Sequence, residues 1–378
     1  MFDLFYMSLV FLMALLFAVD ASLKNAKIAN VFLLICFLIT IVVVGLRDET
    51  GTDWIPYKDF FLDLDNSHME VGFLYFVSSI KSFTDDYNSY VLIHTSVYLL
   101  ILYFLIYRKP LPVLILLMWL TGHQLGWMGS QRQILSLLLI MLAIDKFYTG
   151  RLYKSSALFI LAVSIHQSSL VFLFVPIIRR YLTDLNLYKW VLLIISSLSL
   201  SLLMQYLGHN DRILSLLLEV SQFSSKIHGQ LIVYSSGQFS GDPLSNVLVL
   251  LKRLVFIFVV LLFIWVGVDR NLDRGIDKVG KRFRFYLSLY LFSILMVIMV
   301  QPVFPLLATR GGAYFYIYEI FLISYVLGKT SRKTRVLLLV PIIFLLSFRM
   351  LLQLRYDTGL LVPYKSVWIN QEVSRRLY

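Results

Sequence analysis

The chain reads as an all-α, polytopic membrane protein, and three observations carry that reading. Hydrophobic residues make up 59% of its 378 positions and charged residues only 15%, against about 45–50% and about 25% in soluble domains. The mean hydropathy is +0.79. The apolar residues fall in repeated runs of about twenty, the length a helix needs to cross roughly 30 Å of hydrocarbon, and not in the alternating runs of about ten that build a barrel. A single integral membrane domain over 1–378 is expected, with about ten transmembrane helices.

Full spans are expected near 4–19, 28–46, 89–107, 111–122, 132–147, 188–207, 246–268, 285–304, 313–328 and 336–354. The first lacks a basic leader and a small-residue cleavage site, so it reads as a retained span. The fourth is short, which predicts a tilted or irregular helix. Residues 70–80 are too few to cross. Residues 154–178 are long enough, yet a crossing there breaks the charge pattern. That pattern consists of six basic groups: Lys24 and Lys27; Arg108 and Lys109; Lys146, Arg151 and Lys154; Arg179, Arg180 and Lys189; Arg270 to Arg284; and Lys329 to Arg335. Together they hold 20 of the 34 basic residues. If all six are cytoplasmic, the positive-inside rule is obeyed, both termini lie outside, and 154–178 enters and returns with a break near His166-Gln167-Ser168-Ser169. The alternative is a full span that leaves Arg179 and Arg180 outside. The same bias accounts for the net charge of +12, so no nucleic-acid partner is implied. Cys36, the single cysteine, lies mid-run as packing and excludes internal disulfides.

This topology sends outward the loops 47–69 and 208–245, the turns 122–131 and 305–312, and the tail 355–378. The loop 208–245 is the longest, a length that usually marks function. The run Arg47-Asp48-Glu49-Thr50-Gly51-Thr52-Asp53-Trp54-Ile55-Pro56-Tyr57 places dense polar chemistry where a helix leaves the bilayer. Several cations lie in the outward halves of spans: Arg132 opening a helix, Lys252 and Arg253 inside one, Arg310 before Gly311-Gly312 at a helix start, and Arg349 in the last span. Charges at membrane depth are costly and normally face an interior cavity, so this set asks for a shared anion such as a polyisoprenyl diphosphate. The competing reading is snorkelling to lipid phosphates.

Acids and bases are Glu70, His166, Asp53 and Glu319. Glu70 opens the short segment as a proton acceptor for a sugar hydroxyl, or merely caps it. Asp53 has a turn role as its alternative. His166 sits at the expected helix break, against the commoner fate of a satisfied core histidine. Glu319 is left to pair with a neighbouring cation. There is no G-x-S-x-G, Walker-type or H-E-x-x-H pattern, and nothing demands a metal or cofactor.

The order Arg47…Gly51-Thr52-Asp53…Tyr57, Glu70-x-Gly72-Phe73, Arg132-Gln133, His166-x-Ser168, then Arg310 with Tyr314 and a final Pro363-Tyr364 resembles the EpsG/Wzy-like family of bacterial polysaccharide polymerases. The match runs along most of the chain. The resemblance implies an inner-membrane enzyme that joins undecaprenyl-diphosphate-linked repeat units, donor and acceptor, at the periplasmic face. It also implies membrane lipid and a chain-length regulator protein as partners. With these motifs, the expected diphosphate and glycan contacts are Arg47, Arg132, Gln133, Lys252, Arg253, Arg310 and Tyr314. The expected catalytic groups are Glu70 first, His166 second and Asp53 third, assigned from the residues and not from the family. A flippase of the same lipid-linked sugars and an O-antigen ligase remain the alternatives.

Overall fold

A computed structural model of the chain describes residues 26–51, 53–64, 69–124, 128–207 and 243–356, with scattered further positions such as 14–17 and Lys365. Every regular element among the described residues is helical. The α-helices of eight residues or more are, in order, α1 (Ala26–Gly45), α2 (Trp54–Leu62), α3 (Val71–Lys81), α4 (Tyr87–Ile106), α5 (Pro112–Trp119), α6 (Gln131–Tyr148), α7 (Leu152–Ile165), α8 (Leu187–Tyr206), α9 (Pro243–Gly267), α10 (Leu272–Val279), α11 (Lys281–Val300), α12 (Pro305–Tyr316), α13 (Glu319–Lys329) and α14 (Arg332–Tyr356). The expected first span 4–19 falls largely outside the described residues. So do most of the loop 208–245 and the Pro363-Tyr364 motif.

Seven helices among the described residues are long and apolar enough to cross a membrane. Shorter apolar helices, Val71–Lys81 and Leu152–Ile165, stand beside them. The run 111–122 is interrupted: Pro112 starts α5, which lasts 8 residues before a π-helical turn, Leu120–Gln124, takes over. Helix α6 has 18 residues, about 27 Å, but carries Arg132, Asp145 and Lys146. The segment 154–178 does break where its polar residues predict. Helix α7 ends at Ile165, His166 is extended (φ −156°, ψ 118°), and a 3-10 stretch, Gln167–Phe174, follows. At 14 residues, α7 is about 21 Å long and too short to cross.

The described chain clusters into two compact units, Met1–Leu170 with Thr330–Tyr378, and Val171–Lys329. In the first, α6 and α7 form a hairpin held by Ser155 Oγ donating to Ala143 O at 2.8 Å. Helix α3 packs on α7, and α1 on α4 and α5. Asp86 caps α4 by accepting from the Asn88 and Ser89 amides, satisfying two donors that a helix start leaves orphaned. Lys109 pairs with Asp145 at 3.0 Å, tying the far end of α6 to the turn after α4.

In the second unit α11 is the central element, with α8, α9, α10, α12 and α13 all packing against it or against one another. Its inward face is aromatic. Tyr286 lies 4.9 Å from Tyr318 and 5.1 Å from Phe321, ring centre to ring centre. Asn186 and Asn271 cap α8 and α10.

Candidate functional site

Four side chains from four separated segments of the first unit converge: Tyr57 on α2, Glu70 just before α3, Arg132 in the first turn of α6, and His166 just after α7. Glu70 occupies the N-cap position of α3, yet its carboxylate makes no capping bond. It reaches across instead. Its Oε2 accepts a salt bridge from Arg132 Nη1. Its Oε1 lies 3.1 Å from His166 Nδ1 and 3.4 Å from the Gln167 amide. Tyr57, buried, accepts from both the amide and Nε of Arg132, at 3.4 and 3.3 Å. The Nε2 of His166 holds no hydrogen bond among the described residues.

Local sequence explains the convergence. Gly72 lies two residues after Glu70, and Ser164 two residues before His166. A Cβ at Gly72 would come within 2.2 Å of Ser164 Oγ and 2.8 Å of its carbonyl carbon. Only glycine lets α3 and α7 cross this closely, and the crossing carries Glu70 to His166. On the other side, Gly51 has φ +108°, and a Cβ there would meet the Gly129 amide at 2.9 Å. That contact sets the Arg47–Tyr57 loop against the turn that opens α6.

Arg47 staples the same two segments. It is 2% exposed, and its guanidinium donates to the carbonyls of Val44 and Met128 and to Thr95 Oγ1. It also lies 5.7 Å from the Trp54 ring. Gln131, which the sequence reading passed over, anchors the start of α6. Its amide accepts from Tyr90 at 2.7 Å and donates to Tyr87 at 3.0 Å, while its carbonyl meets His94 Nε2 at 3.2 Å. A Tyr-x-x-Tyr-x-x-x-His stripe on one helix (87, 90, 94) facing a polar helix start was the available signal.

The electrostatics of the cluster follow from its burial. Burial pushes the Glu70 carboxyl upward, but the hydrogen bond to His166 and the Arg132 guanidinium outweigh it and hold it near 2, well below its ordinary 4.5. Burial pushes the Tyr57 phenol up, against the opposing pull of Arg132. The cluster thus has a permanent ion pair, a neutral phenol, and an imidazole with one nitrogen oriented by a carboxylate. Such an imidazole can take a proton at its other nitrogen.

The remaining expected residues are placed as follows. Asp53 stands before α2, one turn from Tyr57, and makes no capping bond. Gln133 is half-buried in the first turn of α6. Arg349 donates to Gly122 O at 3.0 Å within the first unit. Lys252, Arg253, Arg310, Tyr314 and Glu319 belong to the second unit. Arg310 is not at a helix start as expected: Pro305, a natural first helical residue, opens α12 earlier and leaves Arg310 in its interior. Tyr314 and Glu319 are buried. Among the described residues, no group of three His, Cys, Asp or Glu side chains comes together that could hold a metal ion.

These features define a polytopic membrane protein with a polar cluster of Tyr57, Glu70, Arg132 and His166 gathered from the ends of four helices. The EpsG family model matches residues 30–366. The chain therefore belongs to the EpsG family, a Wzy-like family of polysaccharide polymerases. No curated protein and no solved structure matches it.

Proposed function

We propose that this protein polymerises undecaprenyl-diphosphate-linked oligosaccharide repeat units at the periplasmic face of the bacterial inner membrane, with His166 as the base. The observation that carries the reading is the Glu70–His166 contact beside Arg132, set where α7 stops short of crossing. The acceptor sugar's hydroxyl gives its proton to His166 Nε2 as its oxygen bonds to the anomeric carbon of the donor glycan. The bond from that carbon to the diphosphate breaks, and the electron pair leaves with undecaprenyl diphosphate. Glu70 is the first-choice base on sequence grounds, but a carboxyl held near 2 is a weak proton acceptor at neutral pH. Its geometry fits a positioning residue that orients the His166 ring. Arg132 offers fixed positive charge where negative charge develops. Asp53, one turn from Tyr57, fits the rim of the acceptor site.

The test is the purified protein in proteoliposomes supplied with a single lipid-linked repeat unit. A ladder of longer lipid-linked products is expected. Movement of the substrate across the bilayer without change in size supports a flippase instead, and transfer only to a lipid A core supports a ligase. Orientation is tested by placing a cysteine at position 275. Labelling of that site by an impermeant thiol reagent from the periplasm would reject the proposed topology.

A further inference from the structure

The Arg47–Gly51 loop, against which α6 opens, is held by a residue from the far end of the chain. Lys365, beyond the end of α14 at Tyr356, meets Glu49 across 316 positions of sequence. Three contacts fasten it. Its carbonyl accepts from the Asp48 amide at 3.0 Å. Its Nζ pairs with Asp48 Oδ2 at 3.5 Å and with Glu49 Oε2. One ammonium thus serves two adjacent carboxylates, which would otherwise repel each other. A lone exposed ion pair adds little. Here the Lys365 side chain is only 14% exposed, and a backbone bond fixes where it starts, so the three contacts act as a network.

The loop backbone shows what this hold is for. Glu49 has φ +42°, in the left-handed region, where a side chain crowds its own backbone and the conformation is costly. Thr50 Oγ1 closes the turn by donating to Asp48 O at 2.7 Å. The next residue is Gly51, which presses on Gly129. Gly129 in turn accepts from the Gln131 amide at 3.1 Å, at the start of α6 and one residue before Arg132. The contacts therefore run from Lys365 through Glu49 and Gly51 to the residue that pairs with Glu70, all within the first unit. If Glu49 relaxed to a right-handed conformation, the chain would change direction there and lift Gly51 from Gly129.

We propose that Lys365 is a positioning residue: its ammonium holds Glu49 in the turn that seats Gly51 on Gly129, and so keeps Arg132 aimed at Glu70. The effect on the rate of chain growth rests on the polymerase reading; the clasp and its effect on the cluster do not.

The experiment uses the full-length protein in proteoliposomes. A water-soluble carbodiimide should join Lys365 to Glu49 or Asp48 through a zero-length amide, found by mass spectrometry after digestion. Absence of that cross-link would overturn the clasp. Lys365→Gln should lower kcat for chain growth by about three- to tenfold, with little change in KM or melting temperature, and Lys365→Arg should recover most of the loss. Glu49→Ala, which keeps the steric cost and loses the pair, should be slower than Glu49→Gly, which loses both. Modification of His166 by diethyl pyrocarbonate reads the cluster without turnover. Its rate should rise severalfold in Lys365→Gln, as Glu70, no longer held by Arg132, releases the ring. Unchanged kcat, a raised KM at unchanged kcat, unchanged His166 modification or no rescue by Lys365→Arg would each overturn the role. A wild type that builds no polymer yet shows the cross-link and the change in His166 modification keeps Lys365 as a positioning residue and removes the polymerase reading. A wild type that polymerises with His166 modification indifferent to Lys365 does the reverse.

Discussion

Glu70 and His166, 96 positions apart in the chain, face one another with Glu70 Oε1 3.1 Å from His166 Nδ1. One precedes a short helix, the other follows a short helix, and the two helices cross at a glycine.

The first prediction separates the two residues. His166→Ala should lower the rate of chain growth by about 10²–10⁴, the usual worth of a general base. Glu70→Gln should cost less, because an amide oxygen still accepts the Nδ1 proton and keeps the ring oriented. Donor binding should be retained in both. Single-turnover assays with a lipid-linked repeat unit read this directly. Normal growth in His166→Ala would remove the base from His166.

A second prediction concerns the helix crossing. Gly72→Ala forces α3 off α7, because the new methyl meets Ser164 backbone as well as its side chain. Polymer formation should fall although every member of the cluster is intact. Ser164→Gly in the same chain removes the Oγ and Cβ clashes but not the backbone one, so it should restore activity only in part. A double-mutant cycle measures that coupling. Additive effects would show that the crossing does not position the cluster.

The third prediction follows from the depressed Glu70 carboxyl. Its ordinary value is 4.5 and its folded value about 2, so its contribution to stability is present above about 4.5 and is lost as pH falls toward 2. Thermal unfolding in detergent should show the wild type losing melting temperature between pH 5 and 2, with a flatter profile for Glu70→Gln. Parallel profiles would mean that the ion pair with Arg132 adds nothing to folding.

Arg47 yields the fourth. Its guanidinium serves the protein's own carbonyls, so Arg47→Met should chiefly destabilise. Each hydrogen bond to a charged group is worth about 1.5–3 kcal/mol, and the carbonyls left behind are buried. The expected result is a lowered melting temperature with little change in the KM of the surviving enzyme. A raised KM at unchanged stability would instead assign Arg47 to substrate.

Much of this was legible in the sequence, for identifiable reasons. The helical membrane class follows from composition. The break at His166 follows from a polar tetrad in an apolar run, which no continuous buried helix accommodates easily. Glu70 and Arg132 stood out as charges opening helices. What escaped was tertiary. That Glu70 holds both Arg132 and His166 depends on the Gly72–Ser164 crossing, which spans a long separation. Gln131 looked like part of a turn because its three partners lie on α4. Arg310 was misplaced because the glycine pair after it outweighed Pro305, whose preference for the first helical turn decides where α12 begins. The fourth apolar run is short, and the π-helical turn that follows α5 is the irregularity its length predicts.

The salt bridge between Arg132 and Glu70 has one more consequence, for the timing of charge. With His166 neutral, the cluster's formal charges cancel, and a balanced group is tolerable beside hydrocarbon. Under the proposed chemistry, the proton taken from the acceptor tips the cluster to a net positive charge. That occurs at the moment the departing diphosphate gathers negative charge nearby. The positive field is therefore generated by the reaction itself, strongest as the bond breaks and gone once water removes the proton. Between reactions the Arg132–Glu70–His166 cluster itself would present no standing excess of charge to hold the spent carrier.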